Sequence, residues 1–155
     1  MLTSRERKDY ILRLIRQVAQ MMAAMLLRKQ SGDLAGALGE CRAAVGELLG
    51  PLGDLAPRLD SETAAHMVAD ADVLAAWAGV VAEEADVHRL RGDGPAAAAG
   101  EKRALELALE AHLRTSADRP ELLALLARLR PAVDASTLAP RHREALAGLP
   151  RDPMA

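Results

Sequence analysis

The chain has 155 residues, half of them hydrophobic, with no Phe, one Trp and one Tyr, so one domain's core must be built from Ala, Leu, Val and Met. A net charge of −2 offers no basic footprint for nucleic acid or an anionic membrane. The lone Cys41 excludes an internal disulfide or a cysteine zinc site. Strong helix formers abound while β-branched and aromatic residues are scarce, which predicts an all-α protein.

In chain order, Ile11, Leu14, Ile15, Val18, Met21, Met22, Met25 and Leu26 recur at three- and four-residue steps, predicting one long amphipathic helix over 5–30. Thr3 or Ser4 caps it, and Glu6 suits the positive end of its dipole. The basic run SRERK at 4–8 reads as a solvated helix start. Gly32 takes the left-handed position that ends the helix, and Asp33 caps a second one over 34–49, carrying Ala37, Leu38, Cys41, Ala44, Val45 and Leu48. GPLGDLAPRLD at 50–60 is a loop. Asp60 or Ser61 then caps a short helix over 62–69. The helix expected over 72–91 sets Val73, Leu74, Trp77, Val80, Val81, Ala85 and His88 on one side. Gly92 ends it, Asp93 or Gly94 caps the next, and Pro95 fits the first turn of a helix running to about Arg114. Asp118 is the expected cap of ELLALLARLR, Pro131 ends that helix, and a last one spans 141–148. Residues 150–155 are expected to fray.

The two Gly-Asp turns, Gly32-Asp33 and Gly92-Asp93, are the hinges of two similar hairpins. Counting onward from each glycine, Ala37 matches Ala97, Ala44 matches Ala104, Val45 matches Leu105 and Leu49 matches Leu109. RLRGDGPAAAAGEKRALEL therefore resembles the second half of a tetratricopeptide repeat, and KQSGDLAGALGECRAAV resembles it less closely. Met25 stands in the first copy where Ala85 stands in the second, the aromatic positions of the pattern are missing, and the copies are not in tandem at the usual spacing of about 34 residues. The whole chain also resembles a short bacterial family of unknown function with this helical organisation, a resemblance that implies a fold and no mechanism. The Arg-, Ala- and Gly-rich composition likewise suggests a GC-rich bacterial genome. The expectation is an all-α antiparallel helical array in one domain over 1–155. It comprises a first tetratricopeptide-like hairpin (5–49), a loop and short helix (50–71), a second hairpin (72–114) and a C-terminal helical extension (118–149).

Chemistry-bearing motifs are few. The tripeptide Arg91-Gly92-Asp93 is accounted for by the turn and cap. The glycine clusters lack the Gly-Lys-Ser/Thr ending of a phosphate loop and the preceding strand of a dinucleotide site. His66, His88, His112 and His142 lie on four helices; His88 and His112 with Glu83 or Glu84 nearby could hold a metal, though no two histidines are at i, i+4 or in HExxH form. Trp77 either anchors the core or, facing a groove, becomes a binding hot spot. Met21, Met22 and Met25 either fill gaps in the core or line an adaptable partner surface. Both Met21 and Met22 can be buried only if a second chain or the C-terminal helices cover their helix. The candidate partner surface is thus Met21, Met22, Met25, Trp77 and His88. The function expected is a non-catalytic scaffold or adaptor for a protein or peptide, with a homodimer through the first helix. The alternative is a metal- or small-molecule-dependent enzyme with its site between the hairpins. No cofactor, nucleic acid or membrane partner is expected. The first apolar run is broken by Arg13, Arg16 and Gln17, so a cytoplasmic protein without a secretory signal is the expectation.

Overall fold

Short polar side chains close the first turns of most of the helices and so set where the chain changes direction. The computed structural model describes residues 2–115 and 119–151, and among these there are seven α-helices and no strand. Helix α1 (Ser4–Gln30) opens on a capping box in which the Thr3 hydroxyl accepts from the Glu6 amide and the Glu6 carboxylate accepts from the Thr3 amide. Asp33, Asp60, Asp70 and Asp93 cap α2 (Leu34–Leu49), α3 (Ser61–Met67), α4 (Ala71–Leu90) and α5 (Gly94–Leu113). Helices α6 (Pro120–Leu129) and α7 (Pro140–Ala147) instead begin with proline, whose missing N–H costs nothing in a first turn. Among the described residues no side chain caps α6 at Arg119; the expected cap Asp118 lies outside them, as do 152–155 of the tail expected to fray. Pro131 lies in a single 3₁₀ turn, Arg130–Ala132, that follows the end of α6.

The two Gly-Asp turns have one geometry. Gly32 and Gly92 take φ of 85° and 80°. The amide of Asp33 donates to the Arg28 carbonyl and that of Asp93 to the His88 carbonyl, both at 2.9 Å. The glycine amides donate to Lys29 and Arg89, completing a Schellman closure at each turn. Each turn folds two helices into an antiparallel hairpin, α1 on α2 and α4 on α5, and α2 packs on α4 to join them. Ala37, Ala44, Ala97 and Ala104, the matched small residues, are all fully buried. The second hairpin is the more closely packed: a Cβ added to Gly100 would stand 2.9 Å from that of Ala85. In the first hairpin Met25, also fully buried, occupies the place of Ala85.

Helices α3, α6 and α7 gather on α5. Arg103 donates to the Leu59 and Ala56 carbonyls, and Arg114 donates to those of Val68 and Ala65, so two guanidinium groups tie both ends of α3 to α5. Cross-links show that α1, α4 and α6 run in one direction. Lys29 near the end of α1 meets Glu83 and Asp86 late in α4, Arg119 before α6 meets Asp72 at the start of α4, and Arg128 meets Glu83. These three helices form one face of the array.

A groove between three parallel helices

The floor of a groove of about 620 Å³ is a strip of α4 on which Asp72, Ala75, Ala76, Gly79 and Glu83 follow one another at helical spacing. Ile15 of α1 forms one wall; Leu122 and Leu125 of α6 form the other. Gly79 is informative because a Cβ there would meet nothing within 4 Å. No packing contact demands glycine in the middle of α4, where it costs roughly 0.5–1 kcal/mol relative to alanine, and its effect is to deepen the groove. Ion pairs close both ends. Arg119 with Asp72 spans α6 and α4 at one end. At the other, Lys29 lies 3.4 and 3.5 Å from Glu83 and Asp86, which also receive Arg128 at 3.0 and 3.5 Å, so four charges join all three helices. Between the bars, from Asp72 to Glu83 at about 1.5 Å per residue, the floor runs about 16 Å, or three helical turns.

The residues marked out by the sequence separate into two groups here. Met25 is fully buried and Trp77 retains 2% of its surface, so both belong to the core rather than to a partner surface. The physical reason is that Met25 faces the buried side of α1 while Arg103 covers the indole at 5.4 Å from its centroid. Met21 and Met22 are half-buried against the same core. The C-terminal helices do not lie across them, since α6 and α7 pack chiefly on α5. His88 is half-buried with Nε2 3.7 Å from Glu84 in its own helix. No group of three or more His, Cys, Asp or Glu side chains suited to a metal ion occurs among the described residues. The hinge residues Gly32, Asp33, Gly92 and Asp93 all stand in the turns described above.

A second concavity of about 540 Å³ lies on the opposite side of α4, between Val45 and Gly46 of α2, Gly53 and Pro57 of the following loop, Trp77 and Arg103. Arg103 is committed there to holding the loop, because its N–H groups serve the Leu59 and Ala56 carbonyls and, at 3.2 Å, the Ser61 hydroxyl.

A buried polar cluster escaped the sequence reading. Glu110, fully buried on α5, accepts from Arg141 Nε at 2.8 Å and Nη2 at 3.2 Å, and from His142 Nε2 at 2.9 Å. His142 is itself buried, and its Nδ1 stands 3.9 Å from Glu106, which receives the Ser61 hydroxyl at 2.9 Å. Burial pushes the Glu110 carboxyl up, but the hydrogen bonds and charges of Arg141 and His142 outweigh it and hold the group below its ordinary value. The serine hydroxyl donates to a carboxylate and not to the imidazole, so this is no nucleophile–base pair; it fastens α7 to α5. Only the pair at 141–142, read against a glutamate two helices earlier, carried a signal for it, and sequence separation hid the contact.

Helix α1 is long and apolar enough to cross a membrane by length and composition, yet only 17% of its most apolar 18-residue window is buried within the fold. Much apolar surface on α1 is therefore open beside the groove. No known family model, curated protein or solved structure matches the chain.

Proposed function

We propose that the chain is a non-catalytic helical-repeat scaffold that holds a protein or peptide segment in the groove of α1, α4 and α6. The observation that carries this reading is the groove floor: alanine, alanine and glycine between two apolar walls, open for three turns and barred by charge at both ends. Small floor residues let a helix or strand approach the backbone of α4 closely, and Ile15, Leu122 and Leu125 supply the desolvated contacts that give affinity. The tetratricopeptide resemblance of the two Gly-Asp hairpins supports the same class of function by analogy.

Filling the groove tests the reading without touching the core. Gly79→Met adds a side chain into open space and replaces glycine with a better helix former, so circular dichroism should match the parent and the melting temperature should be no lower. A partner retained from host extract by the parent and released by Gly79→Met is the expected result. Equal retention by both proteins, with the fold intact, would mean the groove is not the binding surface.

A further inference from the structure

Two heptad seams run along α1, one residue apart. Ile11, Leu14, Val18, Met21 and Met25 recur at steps of three and four and pack into the core. Leu12, Ile15, Ala19, Met22 and Leu26 repeat the same steps about 100° round the helix. Leu12 and Leu26 of this second seam are 45% and 41% exposed, Ala19 is exposed, and Ile15 and Met22 are half-buried. Alternation of three and four over such a length is the pattern that receives another helix knobs-into-holes. Ile15 belongs at once to this seam and to the wall of the groove, so a helix seated on the seam lies above Ala75, Ala76 and Gly79 with Leu122 and Leu125 at its other flank.

Charge specifies the helix. α1 carries seven Lys and Arg against two Asp and Glu, a net charge of +5 in a chain whose total is −2. Arg28 pairs with Asp33 and Glu40, and Lys29 with Glu83 and Asp86. Arg5, Arg7, Lys8, Arg13 and Arg16 are exposed and make no ion pair among the described residues. By the same steps of three and four Arg5 and Lys8 continue the second seam toward the N-terminus, and Arg16 borders it in the register that also holds Asp9. Resting on the groove reading above, we infer that the occupant is an acidic amphipathic helix of another protein, its apolar stripe on the second seam and its carboxylates against Arg5, Lys8 and Arg16. A bilayer fits less well, since a flat surface cannot reach a floor recessed between α1 and α6. A second copy of α1 also fits less well, being equally basic and held to its own α2 and α4 by the first seam.

The test uses the full chain and a fluorescein-labelled synthetic helix of about three heptads, Leu and Ala at the seam positions and Glu elsewhere, beside a twin with Lys for Glu. Anisotropy should show the Glu peptide bound, more weakly as salt is raised, and the Lys peptide bound at least about tenfold less tightly. The triple variant R5E/K8E/R16E should reverse that order, and Gly79→Met should lose both peptides. Indifference to peptide charge, no reversal in the triple variant, or no binding of the Glu peptide overturns the inference. So does binding to phosphatidylglycerol vesicles in place of the peptide, or a dimer by sedimentation velocity that buries the seam. Loss of Glu-peptide binding in Gly79→Met without charge reversal in the triple variant leaves the groove standing and removes the acidic helix. Charge reversal with Gly79→Met still binding keeps the acidic helix on the second seam and removes the groove.

Discussion

Trp77 is the largest fully enclosed side chain, and Arg103 roofs one face of its ring. Replacing it with alanine removes more apolar volume than its neighbours Val73, Val80 and Leu74 can refill, so Trp77→Ala should lower the stability measured by chemical denaturation by about 3–5 kcal/mol. Cys41 is fully buried, and burial, with the charges of Glu84 and Glu83 behind it, pushes its thiol up to about 12. A thiol so placed is neither accessible nor ionised, so a maleimide should label the native chain far more slowly than the urea-unfolded one; equal rates would show that α2 opens readily. Gly92 at φ 80° occupies a conformation that costs an L side chain roughly 1–2 kcal/mol, more for a β-branched one. Gly92→Val should therefore lower the melting temperature clearly, whereas the exposed Arg91→Ala should leave it nearly unchanged.

At the scale of the element, two helix-interior glycines that look alike in the sequence have opposite roles. Gly79 in α4 faces open space, so Gly79→Ala should raise stability by roughly 0.5–1 kcal/mol through helix propensity alone. Gly100 in α5 faces Ala85 at 2.9 Å from a would-be Cβ, so Gly100→Ala should instead destabilise by forcing α4 and α5 apart. Paired thermal melts read both signs at once. The helices themselves were legible: caps, Gly-Asp turns and three–four spacing placed every boundary within about two residues of its position, because those signals act through local backbone geometry. The second seam of α1 was present in the letters but indistinct, since Ile15, Met22 and Leu26 fell into the same apolar stripe as the buried residues. Only the packing of α1 on α2 and α4 divided that stripe into a covered and an open half.

For the whole molecule, the cluster of Glu110, Arg141 and His142 couples the position of α7 to pH. The Glu110 carboxyl lies below its ordinary value in the folded chain, so in the unfolded chain it takes up a proton first. Its stabilising contribution is complete above the ordinary carboxylate value and is lost as pH falls through the depressed one. Melting temperature should drop on acidification through and below that range, and Glu110→Gln should show a shallower drop from a lower neutral-pH value. An unchanged slope would locate the acid-sensitive group elsewhere. The amino-acid sequence by itself determined an all-helical chain, its two Gly-Asp hairpins and the small residues that let them close, because capping, glycine backbone freedom and helical period depend on near neighbours. Tertiary structure alone decided that Trp77 and Met25 lie inside, that Glu110 meets Arg141 and His142, and that Ile15, Gly79 and Leu125 border one groove. Those outcomes depend on which helix faces come together across the chain, and the period of a single helix carries no information about its neighbours.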